Sequence, residues 1–298
     1  MITFIGNESR SSGQVRGVQI SRAVEGNFFD PHKHTFVGTS GFYPVVVFAR
    51  NFHPHVAAGL KENGCKIGFD IIDRAVANLH ELQKKNSLID EIDWSVFSND
   101  LIDFYIVTNS KAKSKLEECS SKPVFVIPHH CAPAKIEEKN QKEPKVVGYV
   151  GLPDQLHFRE ELEEHVRTLG MNFFAGHPRD LTSCVEMLRR IDVGVVFLER
   201  NNRTGYVLDY KPNQKISNFQ CLGIPVTACD YESFVEFGLD GYLSSNSLEE
   251  TKSNLTKICR NETLRADLAE RGYKAAEPML IQNVASLYQA TIVEVQKL

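Results

Sequence analysis

The run Lys211-Pro212-Asn213-Gln214-Lys215-Ile216-Ser217-Asn218-Phe219-Gln220-Cys221-Leu222-Gly223-Ile224-Pro225-Val226 sets two lysines at the head of a short amphipathic helix. The helix stops at a glycine and feeds a strand opened by proline. A helix start exposes unpaired N–H groups and partial positive charge. The ammonium groups of Lys211 and Lys215 would add full charges beside them. Together these suit a phosphate or diphosphate. Spacing alone fits a surface lysine pair ahead of a buried helix equally well.

Other polar residues follow short apolar runs, where a strand end would present them to a ligand. Arg200 and Arg203 follow the run 193–198. Their guanidinium groups could clamp a diphosphate as charge develops on it, or simply be solvated. Gly176-His177-Pro178 follows 171–175 and would let the backbone approach a nucleobase, with an ordinary β–α turn as the plain alternative. Tyr210, beside Lys211, offers a face for stacking or for packing. Gly6 and then Gly13, within Ser11-Ser12-Gly13-Gln14-Val15-Arg16-Gly17, allow the first β–α connection to come close to a phosphate or a sugar. Phe52-His53-Pro54-His55 follows 45–49. His53 there could deprotonate a hydroxyl or hydrogen-bond a sugar, or else cap or pack against the next helix. Phe69-Asp70-Ile71-Ile72-Asp73 is the best carboxylate pair, and Asp73 stands where it could cap the helix that follows. His129 and His130 adjoin Pro128 with no third ligand at metal-binding spacing, so no metal is expected.

Composition bounds what can position these groups. The chain has 298 residues, 42% hydrophobic and 24% charged. That suffices for one large domain or two smaller ones with a substantial core, and it excludes disorder, collagen-like repeats and a coiled coil. No apolar run approaches the ~18 residues of a membrane span, and the opening residues read as a strand rather than a signal peptide. The net charge is −4, from 34 basic and 38 acidic residues, and neither half is basic. The bulk field therefore does not draw in nucleic acid. Lys111, Lys113 and Lys115 form one local basic run, the pattern of a solvated helix face. The seven cysteines are odd in number and contain no C-x-x-C. This predicts reduced thiols in a cytoplasmic setting, with neither a disulfide framework nor a zinc site.

Nearly continuous apolar runs at 45–49, 104–107, 124–127, 146–150, 171–175, 193–197 and 225–228 predict strands buried on both faces. Helical spacing recurs at 53–63, 74–85, 110–119, 158–169, 181–190, 216–222, 248–259, 263–271 and 281–297. This alternation predicts an α/β chain of two Rossmann-like, doubly wound domains. The polar stretch 133–144 reads as the linker. Residues 1–139 then form the N-terminal domain and 140–280 the C-terminal one, facing a cleft at the carboxyl ends of both sheets.

Lys-Pro-x-x-Lys-Ile-x-x-Phe-Gln-x-Leu-Gly-Ile-Pro-Val resembles the donor-binding segment of GT-B glycosyltransferases, in particular the retaining, family 4-like group that uses nucleotide sugars. Lys145-Val146-Val147-Gly148-Tyr149-Val150-Gly151 resembles the strand and glycine loop that open their C-terminal half. Residues 191–196 resemble the strand before their donor loop, and 125–130 the Ile-Pro run that closes their N-terminal half. Residues 230–243 resemble their closing loop and short hairpin. Asn218 departs from the pattern, standing where a glutamate is usual; it can hydrogen-bond a hydroxyl but is no anionic acceptor.

The resemblance implies transfer of a hexosyl or pentosyl group from a nucleotide sugar to a hydroxyl acceptor, with retention and with no metal or other cofactor. Together with the residues read above, this gives the donor to Lys211, Lys215, Asn218, Arg200, Arg203, Gly176, His177, Tyr231 and Glu232. Catalysis falls to Gly13, His53 and Asp73, the last in a run that lines the cleft in similar enzymes. The acceptor is a glycan, a small molecule or modified DNA. The helix 281–298 is expected to cross back to the first domain. No D-x-D occurs, unlike the metal-dependent GT-A type. A DNA-modifying glycosyltransferase, a sugar-nucleotide epimerase and a non-catalytic nucleotide-binding module fit the same residues.

Overall fold

The computed structural model describes residues 2–9, 13–33, 44–72, 94–132, 143–197, 209–230 and 232–297. The chain divides into two compact units. Unit 1 comprises Met1–His129, Tyr206–Pro212 and Ile281–Leu298, and unit 2 comprises His130–Gly205 and Asn213–Leu280. Among the described residues, no helix is long and apolar enough to cross a membrane.

Unit 1 is built on β1 (Ile2–Ile5), β2 (Asn27–Phe29), β3 (Val45–Ala49), β4 (Lys66–Asp70), β5 (Phe104–Val107) and β6 (Val124–Val126). They form a parallel sheet in the order β2-β1-β3-β4-β5-β6. Side chains alternate across a strand. Val46, Phe48, Tyr105 and Val107 therefore enter one core, and Val45, Val47, Phe104 and Ile106 the opposite one. That two-sided burial is the reason these runs are continuously apolar. Asp70, expected at a strand end, closes β4, whose apolar pattern is interrupted by Lys66 and Gly68.

After β1 the chain makes a wide π-helical turn, Gly13–Gln19, and tightens into α1 (Ile20–Ala23). α2 (Pro54–Glu62) opens on proline, whose missing N–H costs nothing at a helix start. α3 (Ser110–Glu117) is capped by Asn109, whose side chain accepts from the Ala112 N–H. The helix expected at 74–85 and the linker at 133–142 lie outside the described residues.

Unit 2 holds β7 (Val146–Val150), β8 (Asn172–Gly176), β9 (Val193–Val196), β10 (Val226–Ala228) and β11 (Tyr242–Ser244). All are parallel, in the order β11-β10-β9-β7-β8. The helices are α4 (Arg159–Thr168), α5 (Leu181–Arg189), α6 (Gln214–Gln220), α7 (Glu232–Glu236), α8 (Leu248–Arg260) and α9 (Glu262–Ala276). The hairpin expected near 241–243 is not formed. Tyr242 pairs in parallel with Val226, because α7 intervenes and returns the chain in the same direction. α6 lies against β9, where a side chain on Gly194 would come within 2.9 Å of the Phe219 ring.

The expectation of fully reduced cysteines is corrected at one pair. Cys131 and Cys221 form a disulfide within unit 2, their Cα atoms 6.8 Å apart. Cys131 arrives just after β6, and the Cys131 N–H donates to the Met279 carbonyl at 2.8 Å. Cys221 ends α6. No local spacing signals the pair, because 90 residues separate its members. Cys65, Cys119, Cys184, Cys229 and Cys259 remain thiols.

α10 (Ile281–Val295) covers the second face of the unit 1 sheet with Val284, Tyr288, Ile292 and Val295, one stripe of the helix. At its centre the Tyr288 hydroxyl donates to Asp70 at 2.7 Å. Asp70 also pairs with Arg16, both side chains being wholly buried. Asp70, half of the carboxylate pair singled out in the sequence, is thus committed to the core.

Two outcomes follow. Tyr288→Phe removes a hydrogen bond to a buried carboxylate and should lower unfolding free energy by about 1.5–3 kcal/mol in urea titrations. Thiol titration in denaturant should count five thiols before reduction, one for each cysteine outside the disulfide, and seven after it.

Candidate functional site

In unit 1 the chain moves from β1 outward to β2, then returns to β3 on the other side of β1. Unit 2 repeats the step with β7, β8 and β9. Where the connections diverge in this way, an open α/β sheet leaves a crevice beyond its carboxyl ends, and ligands bind there. In unit 2 that point lies between the ends of β7 and β9, and Gly151 is the first residue beyond β7. In unit 1 it lies between the ends of β1 and β3, next to Gly6 and to the residues that lead to His53.

The unit 2 point holds a lysine. Lys215, in the first turn of α6, donates to the Tyr149 hydroxyl at 2.7 Å and places its ammonium 4.7 Å from the centre of that ring. A Cβ on Gly151 would overlap both the Lys215 ammonium and the Tyr149 hydroxyl. Burial pushes the Tyr149 phenol well above its usual range. It stays neutral, so this contact orients the cation without cancelling its charge. The Gly151 N–H donates to the Gly176 carbonyl at 2.9 Å, which joins the ends of β7 and β8. Glycine at 151 leaves the backbone bare beside the cation, the arrangement an oxyanion needs to reach both. α6 begins at Gln214, earlier than expected, and has only seven residues, so most of the positive charge here is that of the lysine itself.

Cys184 lies in the same neighbourhood, its Sγ 4.0 Å from the Asn218 amide nitrogen. Burial raises its pKa to about 11, with Lys215 pulling the other way. It is a protonated packing group at neutral pH. Asn218 is buried, and its side-chain oxygen accepts from the Ala132 N–H at 2.7 Å. The residue in the place of the usual glutamate therefore holds the chain that follows β6. Gly176 closes β8 and has no room for a side chain, since a Cβ would lie 2.8 Å from Phe174 and 2.9 Å from Met187. His177 is exposed just beyond it. Glu232 is exposed in the first turn of α7, where a carboxylate suits the helix dipole. Arg200, Arg203 and Tyr231 lie outside the described residues.

In unit 1, Gly13 begins the π-helical turn, and a Cβ there would overlap the Asn7 carbonyl. Only glycine lets this turn fold back on the end of β1. His53 precedes the first turn of α2 without capping it through its ring. Its ring packs 6.3 Å from those of His32 and Phe48. Asp73 lies outside the described residues. Lys211, half-buried, packs with unit 1, whereas Lys215 packs with unit 2. The two lysines read as one pair along the sequence thus belong to different bodies. His129 and His130 are both buried. No group of three or more His, Cys, Asp or Glu able to hold a metal occurs among the described residues.

Sequence reasoning missed Tyr149 and Arg16. Tyr149 had one signal, a polar-tipped aromatic just before the glycine that ends a buried strand. Arg16 stood inside the glycine-bearing loop, with no local signal that its charge would be buried.

No family model matches the chain, and no curated protein matches it. Solved structures do. HepE from Anabaena, in complex with UDP-glucose, is similar with a TM-score of 0.62 and 9% identity over 100% of this chain and 99% of that one. Sucrose-phosphate synthase from Thermosynechococcus elongatus is similar with a TM-score of 0.63 and 12% identity over 98% of both chains. The GtfA/B complex gives a TM-score of 0.54 and 14% identity, over 85% of this chain but only 57% of its own. At such identities the likeness is one of fold, and the fold is GT-B, with two Rossmann-like domains.

Proposed function

We propose that the chain is a glycosyltransferase that moves a hexosyl or pentosyl group from a nucleotide sugar to a hydroxyl acceptor, with retention and without a metal ion. The observation that carries this reading is the Lys215 ammonium, held by Tyr149 over Gly151 at the point where the unit 2 strand order reverses. Similarity to HepE, solved with UDP-glucose, and to sucrose-phosphate synthase supports a nucleotide-sugar donor.

In this mechanism the bond from the anomeric carbon to the diphosphate breaks ahead of attack, giving an oxocarbenium-like centre. Negative charge collects on the leaving diphosphate. Lys215 meets that charge more strongly in the transition state than in the bound donor, which is the condition for catalysis rather than mere binding. Lys211, Arg200 and Arg203 add cationic charge, so the protein itself does the work of a divalent ion. Gly176 and His177 border the base, while Tyr231 and Glu232 approach the sugar. For Gly13 the role is that of a backbone without a side chain facing the transferred group. His53 orients or deprotonates the acceptor hydroxyl, and Asp73 is the second candidate for that chemistry.

A DNA acceptor is disfavoured, because the one local basic run is internally paired: Lys111 with Asp209, Lys113 with Glu117 and Lys115 with Glu118. One observation favours a second reading, nucleotide binding without turnover. The Asn218 oxygen is engaged by the Ala132 N–H, leaving no carboxylate at that place for a ribose.

Thermal-shift assays with UDP- and GDP-sugars, followed by donor hydrolysis and transfer assays, separate these readings. A nucleotide sugar should stabilise the protein, and Lys215→Ala should abolish that shift and lower kcat/KM by about 10²–10³-fold. Gly151→Ala, which displaces the ammonium, should act in the same direction. A shift unchanged in Lys215→Ala removes the site assignment. Binding without hydrolysis or transfer selects the non-catalytic reading, and release of free sugar and nucleotide without an acceptor selects an epimerase-like one.

A further inference from the structure

Tyr206–Pro212 packs with unit 1, although the chain on either side of it belongs to unit 2. Its described residues, 209–212, run directly into α6, the helix of Lys215. Four groups of unit 1 hold them. The Asn109 side chain, wholly buried, donates through Nδ2 to the Asp209 carbonyl at 2.9 Å. Its Oδ1 is already used, accepting from the Ala112 N–H at 2.9 Å, so this one amide both caps α3 and grips the segment. The Lys111 ammonium meets the Asp209 carboxylate at 2.6 Å. The Thr108 hydroxyl donates to the Tyr210 carbonyl at 3.4 Å. The Trp94 ring stands edge-on to the Tyr210 ring, their centres 5.1 Å apart.

These contacts alternate between backbone and side chain on two consecutive residues, which fixes the path of the chain as well as its place. A loop passing by chance would not use both ends of a buried asparagine. Three residues further on lies Asn213, the residue before α6, and Lys215 follows two residues later.

We infer that Asn109, Lys111, Thr108 and Trp94 are positioning residues: by clamping Asp209 and Tyr210 they hold Lys211 and steady the stretch of chain from which α6 starts. The functional consequence, tighter donor binding, rests on the reading of Lys215 as a donor-binding group. The clamp itself does not.

The test uses the 298-residue chain without ligand, then with UDP-glucose. Trp94 is the only tryptophan, so its emission and its quenching by acrylamide report the clamp. Asn109→Asp keeps the oxygen that caps α3 but removes the donor and sets a second carboxylate near Asp209. Lys111→Met removes the ion pair, and Lys111→Arg preserves it. In the first two variants, acrylamide quenching of Trp94 should rise. Amide hydrogen exchange across residues 213–220 should then quicken about threefold to tenfold. KM for UDP-glucose should increase by a similar factor with kcat within about twofold, and Lys111→Arg should behave as the parent. Unchanged quenching overturns the clamp. Altered quenching with unchanged exchange at 213–220 overturns the positioning role. If the parent protein binds no nucleotide sugar, the donor reading falls, while quenching and exchange still decide this inference on their own.

Discussion

The buried guanidinium of Arg16 is the constraint that unit 1 is organised around. It pairs with Asp70 through two nitrogens, Nε at 2.9 Å and Nη2 at 3.1 Å, and donates through Nη1 to the carbonyls of Ile127 and Pro128. Tyr288 adds its hydroxyl to Asp70 and its ring to the guanidinium, 5.1 Å away. Two charges taken from water cost several kcal/mol, and such a pair repays that only when the remaining donors are satisfied. Here the geometry satisfies them. What the pair contributes is selection of one arrangement. The π-helical turn after β1, the end of β4, the end of β6 and α10 must all converge before the charges are paired. Any other packing would leave a buried ion alone, at a cost of about 3–5 kcal/mol.

That convergence places the first β–α connection. Arg16 lies one turn beyond Gly13, so the ion pair that fixes the core also fixes the glycine at the unit 1 crevice. Unit 2 reaches the equivalent point by different means. Its sheet repeats the same strand order, but the crevice is shaped by a lysine laid on a tyrosine and by glycines that leave no room for side chains, while a disulfide anchors the far end of α6. A rigid α6, packed through Phe219 on Gly194, suits a cation that must be aimed before charge develops rather than recruited afterwards.

Much of the fold is visible in the residues themselves. Runs such as 45–49 and 146–150 are apolar at every position because both faces of a parallel strand are covered, and that requirement is local. The same holds for α10, whose stripe of Val284, Tyr288, Ile292 and Val295 follows the helical period. The glycine before a helix and the lysine at its head were equally legible, since a residue type at a strand end carries its chemistry with it. What the residues hid is of another kind. Asp70, one of the carboxylate pair, is a core ion. Asn218, expected to contact the donor, also accepts from a backbone N–H. The segment 241–243 looked like a hairpin arm and is a parallel edge strand.

The sequence by itself determined most of the strands and helices, and which residue types stand at their ends, because side-chain parity and period depend on neighbours a few residues away. Only the tertiary structure decided the partners: Arg16 with Asp70 across 54 positions, Cys131 with Cys221 across 90, and Asp70 with Tyr288 across 218. Closing loops of such length costs nearly the same entropy whichever partner is met. The choice is therefore made by desolvation and geometry in the packed core, where a charge or a hydrogen-bonding group finds one satisfying position.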